Sequence, residues 1–273
     1  MTAALDIAFA EPEPLEAPAP IHAHVLPGNG RRLVVALAGV GTVRADPPPP
    51  EFIGTAAMRG TNHVLFLSDE SRSWLNGPGV AETVVRLIED YRDAHRIEEV
   101  VLLGNSMGGF MALVLAGLTE VGTVIAFAPQ FSMDKALVPG EERWQILAGN
   151  IADWRYRDVG ALDREGTNYY IFHGDNPIEA QHWLRFPWRR QLNHFIFTGE
   201  AHNVAKLLAK RHMLNRVVEN AIQNKPRALR LALAKSFLGR NFIVRRREAY
   251  QREHPELTLP PGGAPLVVPE AAE

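Results

Sequence analysis

The sequence predicts a three-layer α/β/α sandwich on a mostly parallel sheet, and three observations predict it. Apolar, β-branched runs alternate with segments of helical periodicity. Several of those runs are continuous rather than alternating, as strands buried on both faces require. One of them, Val100-Val101-Leu102-Leu103, passes through Gly104-Asn105-Ser106-Met107-Gly108-Gly109 into an apolar helical pattern that reaches Leu118. A serine framed by glycines between a strand and a helix is lifted above the C-terminal edge of the sheet, because the turn is too tight for bulky neighbours.

The elements follow in order. Residues 11–20 alternate proline with acid and alanine, so 1–20 are expected to form a flexible tail, and proline-rich 251–273 another. Between them lies one domain, 21–250. Strand-like runs occupy 21–26, 33–38, 63–67, 100–103, 121–128, 169–172 and 194–197. His22 and His24 alternate with apolar residues in the first run, the pattern of an edge strand with one exposed side. Val84, Leu87, Ile88 and Tyr91 share one helical face, and so do Val204, Leu207, Leu208, Leu214, Val218 and Ile222. The long segment 131–168, with Trp144 and Trp154, reads either as a lid overhanging the strand ends or as a pair of ordinary connecting helices. Residues 224–250 read as basic C-terminal helices.

Composition narrows the chemistry. The chain has 273 residues, 46% of them hydrophobic, and a formal charge of -2 from 29 basic and 31 acidic residues, a balance that points to no polyanion or anionic membrane. There is no cysteine, so disulfides, thiolate catalysis and cysteine-ligated metal sites are excluded. No basic, apolar leader opens the sequence and no run approaches the ~20 apolar residues of a membrane span. The expectation is a cytoplasmic protein. No His-Glu-x-x-His spacing supports zinc, and the glycines after the second run lack a full dinucleotide fingerprint.

A serine hydroxyl is a weak nucleophile until a base accepts its proton, and the base needs a carboxylate to hold its tautomer. His202 is the best-placed base. It follows the last apolar run through Thr198-Gly199-Glu200-Ala201 and precedes a helix, while His194 starts that run at its far end, His173 reads as a backbone or packing residue, and His182 and His212 read as helix-surface or packing residues. Three carboxylates lie between Ser106 and His202 at strand ends: Asp134, Asp175 and Glu179. For the oxyanion hole, Met107 N–H opens the helix after the serine, and Val40 N–H lies in the glycine-rich loop Gly39-Val40-Gly41.

Taken together, these features resemble the α/β-hydrolase superfamily over residues 21–221, through element order, the elbow at Ser106, the oxyanion-loop glycines and the Gly199-Glu200-Ala201-His202 loop. The run Gly104 to Gly109, followed by Ala126-Phe127-Ala128-Pro129-Gln130, is similar to a bacterial subgroup of uncharacterised hydrolases associated with glycan or capsule biosynthesis. That subgroup carries Asn-Pro-Leu-Asp-x-x-His-Ala after the next strand. Asn176-Pro177-Ile178-Glu179-Ala180-Gln181-His182-Trp183 matches it with Glu179 in place of aspartate and Trp183 in place of alanine. The resemblance favours Glu179 over Asp175 as the acid. It implies acyl transfer to Ser106 with His202 as base, no cofactor, and a small carboxylic ester or acylated sugar as substrate. The aromatic residues Trp183, Phe186 and Trp188 read either as the floor of an acyl or sugar site or, more commonly for such residues, as core.

Two other readings stand beside esterase chemistry: an acyltransferase using the same residues, and a non-catalytic binding module that keeps the fold. Residues 203–252 hold 13 Lys and Arg against Glu219 and Glu248, with Arg245-Arg246-Arg247 in a row. On amphipathic helices they read first as a solvated exterior balanced by acids elsewhere, and second as a basic face for an anionic membrane surface or a polyanionic glycan. No aromatic-and-basic pattern accompanies them, so no nucleic-acid partner is expected.

Overall fold

The computed structural model describes residues 11–42, 47–159, 161–162, 164–187, 189–236 and 243–257. Among the described residues, nine strands form one sheet: β1 (Glu13–Leu15), β2 (Ile21–Leu26), β3 (Arg32–Leu37), β4 (His63–Asp69), β5 (Glu99–Asn105), β6 (Thr123–Phe127), β7 (Asn168–Gly174), β8 (Leu192–Phe197) and β9 (Val244–Arg246). Their spatial order is β1-β2-β4-β3-β5-β6-β7-β8-β9. The six strands from β4 to β8 run parallel, while β1, β2 and β9 are antiparallel to their neighbours.

The parallel strands alternate their side chains between two cores. Leu33, Val35 and Leu37 of β3 join Val84 and Ile88 of α2 (Val80–Ala94) and Met111 of α3 (Met107–Leu115) on one face. Val34 and Ala36 face the other way, onto a core with Leu208 of α6 (Val204–Lys210), Val218 of α7 (Leu214–Ile222) and Leu229 of α8 (Pro226–Ser236). Helices on both faces are why the strand sequences are continuously apolar. The predicted three-layer α/β/α sandwich is the architecture observed.

The order of β4, β3 and β5 positions the site. The chain leaves β3 toward β4 on one side and later returns to β5 on the other, so the loops after β3 and β5 diverge and open a crevice at their C-terminal ends. Ser106 follows β5 directly, and Gly39-Val40-Gly41 follows β3.

At the margins the structure differs from the sequence reading. Residues 13–15, expected in a flexible tail, pair with β2 as β1, with Pro14 opposite His24. An edge strand accommodates proline because one of its sides needs no donor. β2 is therefore an inner strand rather than an edge, and His22 Nε2 lies 2.7 Å from Glu70 Oε2 instead of simply facing solvent. The periodic run 204–222 is two helices, parted where His212 takes a left-handed φ of 55°. The basic segment after α8 is a strand, β9, before it is a helix, α9 (Arg247–Glu253). The expected C-terminal tail begins later than 251, since α9 is followed by a 3-10 turn at Pro255–Leu257, and Tyr250 meets Trp183 edge-on with ring centroids 5.2 Å apart. Residues 1–10 and 258–273 lie outside the described residues.

The packing of α3 onto β3 gives a stability prediction. A Cβ on Gly108 would come within 2.1 Å of the Leu37 carbonyl oxygen, whereas a Cβ on Gly54, in the short helix α1 (Ile53–Ala57), meets nothing within 4 Å. Gly108→Ala should cost about 1–3 kcal/mol or prevent folding. Gly54→Ala should be neutral or stabilising by up to about 1 kcal/mol. Urea denaturation of the two variants checks this.

Candidate active site

Ser106 sits at the tip of the β5–α3 turn with φ 56° and ψ -121°, a conformation costly for a residue with a Cβ. The turn is held from both sides. Ser106 N–H donates to Phe127 O at 2.8 Å, and Phe110 N–H donates to Ser106 O at 3.0 Å. A Cβ on Gly104 would lie 2.2 Å from the Gly108 carbonyl oxygen, so the closeness of the turn requires glycine there. Ser106 is 5% exposed, and its Oγ accepts a hydrogen bond from Gln130 Nε2 at 3.0 Å. That leaves the hydroxyl proton free to be given away.

Gln130 is itself buried and held from behind. Trp74 Nε1 lies 3.5 Å from its Oε1, which turns the amide NH2 toward the serine. The preceding carbonyl, Pro129 O, accepts from His173 Nε2 at 2.8 Å, and His173 Nδ1 is 2.8 Å from His194 Nε2. Burial pushes His173 down to about 4, so this buried pair is neutral and structural. The backbone or packing role read for His173 is what the geometry gives it, and His194 shares it.

His202 lies in the loop between β8 and α6, with Nδ1 2.9 Å from Glu179 Oε1. Glu179 occupies the first turn of α5 (Pro177–Trp183), where Asn176 caps the helix by accepting from Glu179 N–H at 2.9 Å. Pro177 at the first helical position and the Asn176 cap fix where α5 starts, and this start turns Glu179 toward His202. Glu179 is 1% exposed. Burial opposes its charge, but the His202 hydrogen bond and the nearby Arg143 guanidinium outweigh it and hold the carboxyl at about 2.

The other two carboxylates are engaged elsewhere. Asp175 accepts from Gly199 N–H at 2.8 Å and lies 3.5 Å from Tyr250 Oη, so it shapes the His202 loop without touching the imidazole. Asp134 accepts from Arg157 and from Ala136 N–H. Of the two readings of Trp183 and Phe186, the structure gives core packing: Trp183 packs with Leu184, Ile196 and Tyr250, and Phe186 packs against His173 and His194. Trp188 lies outside the described residues.

Ser106, His202, Asn105 and Val40 line one cavity of about 390 Å³, with Glu51, Lys206 and Trp144 on its walls. Ser106 and His202 make no direct hydrogen bond across it. Val40 O accepts from the buried Arg72 Nε at 3.0 Å, which fixes the peptide plane of the β3 loop. Val40 N–H and Met107 N–H have no hydrogen-bond acceptor among the described residues. Trp144 comes from the long segment between β6 and β7, immediately before the short helix α4 (Gln145–Ala148).

That segment also supplies residues the sequence reading did not single out. Arg143 Nη1 donates to Glu179 Oε1 at 2.7 Å and lies 3.1 Å from His202 Nδ1. Its other nitrogens bond Glu141, which is fully buried. Glu141 Oε2 lies 2.7 Å from His182 Nε2, and Phe131 N–H donates to His182 Nδ1 at 3.0 Å. The donation to Nδ1 places the His182 proton on Nε2, facing Glu141. Burial opposes the Glu141 charge, yet His182 and Arg143 hold it at about 2. Glu51 behaves in the opposite sense: burial raises it to about 7 against the lowering effect of Gly39 N–H and Lys206. Polar residues in an aperiodic insertion leave no pattern in sequence, and only the His182 position, within the Asn176–Trp183 run, gave a signal.

Solved structures with the same architecture include an α/β serine hydrolase without lid from Xanthomonas campestris, at 16% identity and TM-score 0.54, covering 79% of this chain and 95% of that one. An esterase from Pyrococcus furiosus is 14% identical with TM-score 0.55, over 80% of this chain and 92% of that one. The chain has the α/β-hydrolase fold. A putative esterase from Staphylococcus aureus shares this fold at 12% identity and TM-score 0.52, over 78% of this chain and 83% of that one. No protein-family model matches the sequence, and neither does any curated protein sequence. Within this α/β-hydrolase fold, no group of three His, Asp or Glu among the described residues is arranged to hold a metal ion. No helix among the described residues is long and apolar enough to cross a membrane.

The two depressed carboxylates predict an acid response. Glu141 and Glu179 have folded values of about 2 against an ordinary 4.5, so the unfolded chain takes up protons first. Their contribution to stability is complete above pH 4.5 and is lost as pH falls toward 2. Urea midpoints measured at descending pH should fall steeply for the wild type and less steeply for Glu179→Gln. Equal slopes would contradict the pairing.

Proposed function

We propose that the protein is a serine ester hydrolase in which Ser106 is the nucleophile, His202 the general base and Glu179 the orienting acid. The observation that carries this reading is the 2.9 Å contact of His202 Nδ1 with the buried Glu179, in a cavity that His202 shares with Ser106. With the Nδ1 proton held by Glu179, Nε2 is left unprotonated and able to accept from Ser106. On substrate binding the serine hydroxyl turns from its resting position to reach Nε2, a tightening common between free and occupied sites.

Ser106 Oγ attacks the ester carbonyl carbon while His202 Nε2 takes the hydroxyl proton. Negative charge collects on the carbonyl oxygen, where the Val40 and Met107 N–H groups stabilise it. The carbon–oxygen bond to the leaving alcohol then breaks as His202 returns the proton to that oxygen, leaving an acyl-serine. A water deprotonated by His202 attacks the acyl carbon, and collapse releases the carboxylic acid and restores the Ser106 hydroxyl. Gln130, donating to Oγ in the free state, orients the hydroxyl for the first step.

The substrate proposed is a small, hydroxyl-rich ester such as an acylated sugar. A cavity of about 390 Å³ fits a molecule of that size. Asn105, Glu51 and Lys206 offer hydrogen bonds to hydroxyls, and Trp144 offers a ring face to a sugar.

Steady-state hydrolysis of p-nitrophenyl acetate tests the assignment. Ser106→Ala and His202→Ala should each lower kcat by about 10³-fold or more, and Glu179→Gln by about 10²-fold or more. Asp175→Asn keeps an acceptor for Gly199 N–H and should stay within about threefold of wild type, an effect below ~1 kcal/mol. A drop for Asp175→Asn matching that of Glu179→Gln would overturn the choice of acid.

A further inference from the structure

At the β9 edge of the sheet, far along the strand order from β3 and β5, a second cavity of about 730 Å³ opens between β8, β9, α8 and α9. No residue lines both this cavity and the one at Ser106. Six arginines line it, Arg189, Arg190, Arg230, Arg245, Arg246 and Arg252, against one acidic side chain among the described lining residues, Glu248. Buried Phe195 and Leu233, with Val244, form an apolar floor.

The fold neutralises only part of this charge. Arg245 pairs with Glu253 at 2.6 Å, and Arg246 lies 3.7 Å from Glu248 while donating from Nη2 to Leu192 O. The buried Arg246 Nε has no hydrogen-bond partner. Arg190 and Arg230 form no ion pair among the described residues. Like charges gathered in one concavity repel, so the arrangement favours an anion beyond the two carboxylates that the described residues supply.

The type of cation is informative. Lys206, Lys210, Lys225 and Lys235 belong to the same stretch of chain, yet no lysine is among the lining residues. Arginine presents a planar fork that matches phosphate oxygens two at a time. A concave space with cations on its rim and apolar side chains on its floor admits a discrete molecule with a charged end and a less polar body. A bilayer or a nucleic-acid duplex would instead meet a flat or protruding basic surface.

We infer that this cavity is a binding site for a small molecule bearing two or more phosphates, held by the arginines of the α8, β9 and α9 rim. The site is independent of the ester hydrolase reading.

Isothermal titration of the full chain with inorganic pyrophosphate at fixed ionic strength tests it. The expected result is one site per chain, weakened about tenfold or more in Arg190→Ala/Arg230→Ala, since charge-assisted hydrogen bonds are lost. These two exposed side chains make no hydrogen bond or ion pair among the described residues, and circular dichroism verifies that the variant is folded. Absence of saturable pyrophosphate binding would overturn the inference. So would binding unchanged in the double variant, or association with duplex DNA or phosphatidylglycerol vesicles in place of pyrophosphate.

Discussion

A buried carboxylate governs the arrangement of the site. Glu179 is 1% exposed, and an isolated charge so placed would cost several kcal/mol or become protonated. It is kept ionised by two groups from separate parts of the chain, His202 from the β8–α6 loop and Arg143 from the segment between β6 and β7. The start of α5, the position of the His202 loop and the docking of residues around Arg143 are therefore mutually dependent. Glu141 extends the dependence to His182 on α5 itself, closing a ring of polar contacts that returns to the helix bearing Glu179. The same pairing that makes Glu179 tolerable in the interior leaves His202 with one defined orientation.

The sheet supplies the second constraint. Because β3 lies between β4 and β5, the crevice at its C-terminal end is a consequence of strand order rather than of any one side chain. Ser106 reaches that crevice only because Gly108 lets α3 approach the Leu37 carbonyl. Backbone closeness thus fixes the serine, while charge pairing fixes the histidine and the acid. Gln130, steadied through Pro129 by the neutral His173–His194 pair, links the β6 strand end to Ser106.

The sequence made the parallel strands legible because full burial leaves continuous apolar runs, and the fully buried β4 begins where its run does, at His63. β1 and β9 escaped because three-residue edge strands have no room for periodicity, and in β9 the residues are mostly arginine. At the site, Ser106 and His202 stood out through glycine spacing and loop position. Asp175 and Glu179 were not separable by spacing, since both follow β7 within five residues; the Asn176 cap sets α5 so that only Glu179 meets the imidazole. Arg143, Glu141 and Gln130 act through tertiary contacts of 24 to 59 residues' separation, which no local pattern encodes. Aromatic content alone left Trp183 and Phe186 open between a substrate floor and the core, and they are core residues, while Trp144 takes the position on the cavity wall.

The central claim is that Ser106 is an activated nucleophile. It is tested most directly by incubating the purified protein with a fluorophosphonate probe and weighing the intact chain. The account predicts a single covalent adduct on the wild type and none on Ser106→Ala. A folded wild type that gains no mass, or a Ser106→Ala variant that gains the same mass, would contradict it.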